Sequence, residues 1–347
     1  VVGPLLGGWF VDALSWHWIF YINLPIGALA LGGFMVSFKP TGKRKSASID
    51  IAGVVTLTIA LSALVLVTAL GGRDIAWDSP TALGLIALCV ASTAAFIMAE
   101  KRAAEPILPL GLFRMNVFVV TSLLAMCTGA MMLGSITFLP LFLQMATGVS
   151  PTTSGLQLIP LTIGILSGST LSGRYMGKTG RYRRLPIIGT FLATFGALGL
   201  TQVLGDMNGV LFSLTLILMG MGLGMNFPVI TTAVQNTVPR AHLGTATAAG
   251  ILFRQIGGSV AVALFGAIFA SGVARSLGGV EIEGLSSVAE LGPQMLAELP
   301  AAVQNQIAQS VTSAIQPVYW IVAGLSFTAF IISLFLKEEE LAGTRNL

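Results

Sequence analysis

Nine long apolar runs, separated by short polar connections, constrain this 347-residue chain more than any other feature. A bilayer core about 30 Å thick is crossed by about 20 apolar residues in an α-helix. Only 9% of the residues are charged, against about 25% in an average soluble domain, so an ordinary soluble fold is excluded. We therefore predict an all-α polytopic membrane protein. The predicted spans cover residues 19–38, 51–70, 80–98, 117–143, 153–173, 186–204, 209–236, 245–270 and 318–336.

The distribution of Lys and Arg among the connections predicts the orientation of these spans. Fifteen of the eighteen bases lie in one alternate set of connections and the tail, two lie in the other set, and Arg254 falls inside a span. Cytoplasmic loops carry an excess of Lys and Arg, so the first set and the C-terminus are predicted to be cytoplasmic. The net charge of +4 therefore indicates topology and not a nucleic-acid partner. The first set is 39–50, 99–116, 174–184, 237–244 and 337–347; the second is 71–79 and 271–317.

The connection 271–317 is the one sizeable extramembrane segment that the sequence predicts. It is acidic, and its apolar residues recur at three-to-four spacing from Leu296 to Ile315. This pattern predicts an amphipathic helix on the outer surface. Such a helix either packs over the bundle or acts as a lid.

Two motifs stand at the start of the chain. Small residues and a proline at Gly3, Pro4, Gly7 and Gly8 allow close helix contact and a bend. They are followed by an aromatic segment that runs from Trp16 to Gly27 and reads Trp-His-Trp-Ile-Phe-Tyr-Ile-Asn-Leu-Pro-Ile-Gly. Together with Thr137–Gln144 and the Arg-Gln-Ile-Gly-Gly run at Arg254, they resemble the drug:proton antiporters with fourteen spans in the major facilitator superfamily, of the EmrB/QacA type.

The resemblance implies a partial major facilitator fold, from the end of helix 5 to helix 14. The opening run, Val1 to about Leu14, is too short to cross and begins without Met, so we expect an N-terminally truncated protein. The expected parts are 1–38 from the N-terminal bundle, 39–116 with two central helices, 117–336 as the C-terminal six-helix bundle with the external loop 271–317, and the cytoplasmic tail 337–347. In this reading Gly3, Pro4, Gly7 and Gly8 form a hinge or seal at the bundle interface.

The basic segment 173–184 resembles the superfamily's Gly-x-x-x-Asp-Arg-x-Gly-Arg loop, but Gly177 stands where the acid is expected. Its bases hold the segment on the predicted cytoplasmic side, and its glycines allow a tight turn. Topology anchoring is favoured over a conformational latch. The residues expected to form this cytoplasmic loop are Gly173, Lys178, Gly180, Arg181, Arg183 and Arg184.

Arg254 is the one formal charge deep within a predicted span. Inserting arginine there costs roughly 2.5 to 3.5 kcal/mol, so the side chain should face the bundle interior with a partner or water. A structural cation bonded to helix carbonyls is the alternative. Polar residues beside a proline break and soft apolar side chains complete the expected substrate cavity. Its predicted lining is Met126, Phe138, Gln157, Asn226, Gln235 and Arg254.

No predicted span contains an Asp or Glu, so the proton-accepting acid of an antiporter is expected in helices upstream of this chain. No catalytic, zinc or phosphate-binding motif is present, so we predict neither an enzyme nor a cofactor. The resemblance implies export of amphiphilic or cationic drugs in exchange for protons, across the plasma (inner) membrane. The partners would be a small-molecule substrate, the lipid bilayer and, in a cell with two membranes, a periplasmic adaptor. A facilitator or symporter for a metabolite and a non-transporting receptor or assembly subunit stay open as alternatives.

Overall fold

The computed structural model of the chain describes residues 7, 9–10, 13–37, 50–71, 75–206, 209–277 and 300–341. Within these ranges, nine helices are long and apolar enough to cross a membrane, one for each predicted span. The prediction of an all-α polytopic protein with nine spans is therefore confirmed. Gly3, Pro4 and Gly8 of the predicted hinge lie outside the described residues. Gly7 is described, and a Cβ placed on it would meet no atom within 4 Å.

Eleven helices are present in the described part of the chain. They are α1 (Trp18–Tyr21), α2 (Asn23–Ser37), α3 (Ile51–Leu70), α4 (Pro80–Arg102), α5 (Asn116–Thr147), α6 (Pro151–Gln157), α7 (Ile159–Thr179), α8 (Arg184–Asp206), α9 (Gly209–Thr237), α10 (Leu243–Leu277) and α11 (Ala301–Leu334). Short 3-10 turns at Leu110–Arg114 and Arg240–His242 precede α5 and α10.

Local sequence fixes several of the helix starts. The Asp50 carboxylate accepts a hydrogen bond from the Gly53 N–H at 2.8 Å, and the Ser79 hydroxyl accepts one from the Ala82 N–H at 3.2 Å. Both side chains satisfy N–H groups that have no partner within their helix. Pro80 follows Ser79 at the first helical position, where its missing N–H costs nothing. The hairpin of α3 and α4 therefore has a defined start to each of its two helices.

The helices of the six-span bundle, α5 to α11, pack through glycine. On α7, Gly164 and Gly168 lie one turn apart, and on α9 the same spacing separates Gly220 and Gly224. A Cβ on any of the four would collide with a backbone carbonyl of the other helix. Small residues four apart let two helix backbones approach this closely. The α7–α9 contact is therefore set by backbone surfaces.

The last helix corrects the sequence prediction for the segment 271–317. Helix α10 continues to Leu277, and α11 already begins at Ala301 and contains Pro317. Ile307, Val311 and Ile315 are fully buried in the bundle core, so from Ala301 onward the predicted surface helix is wrong. A proline is tolerated in a membrane helix when neighbouring groups satisfy the freed backbone carbonyl. The predicted helix upstream of Pro300 lies outside the described residues.

Helix α7 also extends further than predicted. It includes Gly173 and Gly177, where a Cβ would meet no atom within 4 Å, and it ends at Thr179. Gly180 follows with φ +65°, the left-handed conformation that glycine adopts most readily. Of the three glycines expected to allow a tight turn, Gly180 alone is used in this way.

Candidate functional site

A groove runs along α9 and α10, with one wall completed by Ala125 of α5. Its deeper part has a volume of about 280 Å³ and its wider, open part about 530 Å³. Both parts are lined by Thr247 and Ile251, so the two are continuous. The deeper part is otherwise lined by Ala125, Phe227, Ile230, Thr231, Val234, Ala246, Gly250 and Arg254, and the wider part by Gln235, Leu243, Gly244 and Ala248.

Arg254 is half-buried and faces the deeper part of this groove. Its guanidinium carbon lies 5.4 Å from the centre of the Phe227 ring, which is within cation–π range. Throughout the ranges that the structure describes, the guanidinium forms neither a hydrogen bond nor an ion pair. A guanidinium carries five N–H donors, so this one presents unused donors to the groove.

Two glycines, Gly257 on α10 and Gly129 on α5, explain how α10 reaches its position. A Cβ on Gly257 would collide with the Met126 carbonyl oxygen, and one on Gly129 would collide with the Arg254 carbonyl oxygen. Helices α5 and α10 therefore touch backbone to backbone at this level. The Arg-Gln-Ile-Gly-Gly run thus combines the charge with the small residue that brings α10 against α5.

The polar groups of the groove are mostly satisfied locally. The Gln235 amide donates to the Thr247 hydroxyl at 3.1 Å, and that hydroxyl donates to the Leu243 carbonyl at 2.8 Å. The Thr231 hydroxyl donates to the Phe227 carbonyl at 3.3 Å. These bonds leave the groove apolar, with one cation at its deeper part.

The structure brings two of the six predicted cavity residues, Arg254 and Gln235, to the groove. Phe138 instead packs in the bundle core, with its ring centroid 6.2 Å from that of Phe265. The fully buried Asn226 donates to the Gly222 carbonyl at 2.8 Å. Both side chains pack between helices and do not line this groove, so both stay predictions as parts of a substrate cavity. Aromatic and amide residues in a bundle serve either role, and the sequence pattern does not separate the two.

Met126 and Gln157 are also absent from the lining of the groove. Met126 is partly exposed and contributes its backbone carbonyl to the contact with Gly257. Gln157 ends α6, and its Oε1 is buried without a hydrogen-bond partner among the described residues. Both residues stay predictions as parts of a substrate path.

The basic segment 173–184 contacts the C-terminal tail. The Arg183 guanidinium donates to the Leu334 carbonyl at 3.2 Å, and the Glu338 carboxylate accepts from the Tyr182 N–H at 3.1 Å. Tyr182 is fully buried, and its hydroxyl donates to the Lys337 carbonyl at 3.1 Å. Burial raises the pKa of Tyr182 above its ordinary value. Sequence reasoning missed this residue, although an aromatic ring among five bases was a visible signal.

The other predicted residues of this segment have simpler surroundings. Gly173 and Lys178 lie within α7, Gly180 ends that helix, and Arg184 begins α8. The side chains of Lys178, Arg181 and Arg184 are exposed. These three positions suit anchoring by charge, whereas Arg183 and Tyr182 tie the segment to the tail. The favoured role of the segment, topology anchoring over a conformational latch, stays a prediction.

Residues 1–262 match the family model of the Major Facilitator Superfamily. The chain belongs to this superfamily. Members of the Major Facilitator Superfamily are membrane transporters and not enzymes, which agrees with the absence of a catalytic motif. The chain is thus a multi-pass membrane protein of a transporter family.

Two curated members of the superfamily illustrate the relationship. An uncharacterized MFS-type transporter of Mycobacterium tuberculosis is 35% identical over 98% of this chain and 50% of its own length. The multidrug transporter protein MdtP of Bacillus subtilis is 36% identical over 77% of this chain and 49% of its own length. The chain spans about half the length of these relatives.

A solved structure supports the same fold. The bacterial homologue of the human lysosomal transporter Spinster, in an inward-facing and unoccupied conformation, superposes with a TM-score of 0.52. The match covers 81% of this chain and 69% of that one, at 15% sequence identity. The likeness therefore concerns the all-α superfamily fold.

Proposed function

We propose that the full-length protein exports amphiphilic, drug-like compounds in exchange for protons, with the groove along α9 and α10 as part of the substrate path. The observation that carries the proposal is Arg254, a guanidinium inside a span that presents unused donors to an apolar groove. Holding an unpaired cation there is costly, and an intramembrane charge of this kind ordinarily serves function. The substrate class is inferred from multidrug transporters among the relatives, such as MdtP.

The groove suits compounds that combine an apolar body with a polar group. Its walls are mostly aliphatic, Phe227 offers an aromatic face, and Arg254 offers donors. Such sites bind mainly through apolar contact and orient the ligand with few polar groups. Recognition of cationic drugs, which the sequence resemblance implies, would need acidic groups from outside this groove.

Alternating access would move the two bundles of a complete transporter around a midplane site. This step, the plasma-membrane location and the cytoplasmic C-terminus belong to the proposal. The fifteen bases in one set of connections support the orientation. A periplasmic adaptor would be required only if export continues across a second membrane.

The direct test compares the full-length protein with its Arg254→Ala variant in energised inverted membrane vesicles, with a fluorescent amphiphilic dye added outside, on the original cytoplasmic side, so that export is measured as dye uptake. We expect substrate-stimulated proton release in the parent protein, abolished by an uncoupler, and export reduced at least tenfold in the variant at equal abundance. Arg275→Ala is the matched control, because Arg275 lies on the same helix, is exposed and is absent from the lining of the groove. It should keep parental export.

Each alternative function predicts a different result. A facilitator for a metabolite would give downhill flux that is insensitive to the proton gradient. A non-transporting receptor or assembly subunit would tolerate a neutral side chain at position 254. Parental drug export by Arg254→Ala would therefore contradict the proposed role of the groove.

A further inference from the structure

The predicted cytoplasmic end of the α3–α4 hairpin contains two carboxylates, Asp50 and Glu100, that lie beside the same glycine. Asp50 caps α3, and its Oδ1 accepts from the Gly53 N–H at 2.8 Å. Its second oxygen, Oδ2, is buried and has no hydrogen-bond partner among the described residues. One half of this carboxylate therefore has a structural role, and the other half is unused.

Glu100 repeats this arrangement in the last turn of α4. Its side chain is only 4% exposed, and its Oε2 accepts from the Leu108 N–H at 3.0 Å. Its other oxygen, Oε1, is buried without a partner in the described part of the chain. The sequence placed this acid in a loop, so its burial is a finding of the tertiary structure.

The two unused oxygens both lie close to Gly53. A Cβ on that glycine would collide with Asp50 Oδ2 and would lie 3.1 Å from Glu100 Oε1. Only a glycine hydrogen fits between the two helices here. Two acceptor atoms therefore face the same small space, and no described group donates to either of them.

Two ionised carboxylates in this position would repel each other and would leave two buried acceptors unsatisfied. Each unsatisfied buried group destabilises the fold. A proton removes both costs, because a protonated carboxyl donates one hydrogen bond to its neighbour and removes one charge. A divalent metal ion would need more oxygen ligands than this pair provides.

We propose that Glu100 holds a proton and donates a hydrogen bond through it to Asp50, and that this bond joins α3 to α4 at the predicted cytoplasmic end of the hairpin. The site is separate from the Arg254 groove and does not depend on the proposed transport activity. It also differs from the sequence expectation, which placed every protonatable acid of the transport machinery upstream of this chain.

Packing connects this pair to the groove. Leu108, whose N–H binds Glu100, lies in one apolar cluster with Phe118, Val234 and Ala246. Val234 and Ala246 also line the deeper part of the groove. Loss of the proton would weaken the contact that holds Leu108. The packing of this apolar cluster would therefore change first.

The other charged groups near the pair are accounted for as follows. Lys101 and Arg102 continue α4, Glu105 lies in the connection that follows, and Arg114 ends the 3-10 turn; all four side chains are exposed. Three bases that precede Asp50 in the sequence, Lys43, Arg44 and Lys45, lie outside the described residues. The test includes these three.

The experiment measures the infrared band of protonated carboxyl groups and the thermal stability of the full-length protein as a function of pH. An unfolded carboxyl loses its proton at about pH 4. In the proposed pair the bond is present while Glu100 holds its proton, so its stabilising contribution is complete at low pH and is lost as Glu100 releases the proton with rising pH. The parent protein should therefore show a protonated-carboxyl band near neutral pH and a Tm that falls toward alkaline pH.

Three variants make this result specific. Glu100→Gln should lose the band and keep an alkaline Tm above that of the parent, because its amide donates to Asp50 at every pH. Asp50→Asn, which retains a capping side chain, should also lose the band. Glu105→Gln, the exposed control, should keep the parental band and the parental fall in Tm.

Several outcomes would overturn the proposal. One is the absence of the band in the parent protein, and another is an unchanged alkaline fall in Glu100→Gln. Replacing Lys43, Arg44 and Lys45 together by Gln should leave both readouts unchanged; if it abolishes the fall in Tm, a base and not a proton satisfies the pair. Dependence of stability on Na⁺ or K⁺, compared with choline, would identify a bound metal cation instead.

Discussion

The α3–α4 hairpin and the six-span bundle differ in how they use equally apolar helices. The most apolar stretches of α3 and α4 are only 22% and 17% buried, whereas that of α5 is 67% buried, although the hairpin helices are the more hydrophobic. The bundle places several glycines where one helix backbone meets another, whereas in the hairpin Gly53 meets only carboxylate side chains and Gly84 of α4 has open space around it. Hydrophobicity thus decides whether a helix enters the bilayer, and small residues decide how tightly it packs there.

The comparison is tested most severely by Gly168→Leu in the α7–α9 contact. The added side chain would collide with the Met221 carbonyl, so the helices must separate. We expect a loss of stability of about 3 kcal/mol or more, and loss of most monodisperse protein in size-exclusion chromatography. Gly84→Leu in the hairpin is the matched control and should leave the yield unchanged. Equal yields of the two variants would refute the distinction between a closely packed bundle and a loosely packed hairpin.

A second pair of variants compares side-chain burial in the same two regions. Leu216 of α9 is fully buried, so Leu216→Ala should cost about 2–5 kcal/mol. Val90 of α4 is 65% exposed, so Val90→Ala should change stability by less than about 0.5 kcal/mol. Thermal unfolding in detergent measures both. A large effect at Val90 would mean that another surface covers the hairpin.

A smaller effect is expected where the bundle supports the groove. In Gly257→Ala the new Cβ would collide with the Met126 carbonyl, which would shift α10 and Arg254 at a cost of about 1–3 kcal/mol. Export should fall while the protein stays folded. Gly266→Ala on the same helix is the control, because its nearest contact, Phe138, is an ordinary 3.6 Å away and Gly266 does not line the groove. Unchanged export by Gly257→Ala would show that the close α5–α10 contact does not position Arg254.

The smallest effect concerns the tie between the basic segment and the tail. Tyr182→Phe removes the hydroxyl that binds Lys337 and Glu339, at a cost of about 1 kcal/mol. Limited proteolysis should show faster cleavage of the tail. Because burial raises the pKa of Tyr182 above the ordinary tyrosine value of about 10, the contribution of this group is complete below that value. It is lost as pH rises through the folded pKa.

The phenylalanine variant should lack this alkaline loss of stability, since it has no hydroxyl to ionise. Arg181→Ala, at an exposed neighbouring position, should leave proteolysis of the tail at the parental rate. If Arg181→Ala loosens the tail as much as Tyr182→Phe does, the segment acts through its charge and not through the buried hydroxyl.

Sequence reasoning predicted the number and the centres of the spans, but several helices extend beyond the predicted ends. The residues just before Pro317 belong to the predicted external segment 271–317. In the structure these residues form the first half of α11, because its apolar side chains pack against the bundle core. A local pattern does not reveal that a neighbouring helix covers one face. The same limit applies to Phe138 and Asn226, which the sequence assigned to a cavity.

The sequence by itself determined that this chain spans a membrane with helices, because the bilayer requires every backbone group to be bonded within its own segment. It also identified Arg254 and Gln235, since a charge or amide in an apolar run is conspicuous. Only the tertiary structure decided that Glu100 is buried beside Asp50, and that Gly129 and Gly257 bring Arg254 to a groove. Both arrangements depend on contacts between residues far apart in the chain, and their energies arise only when the helices pack.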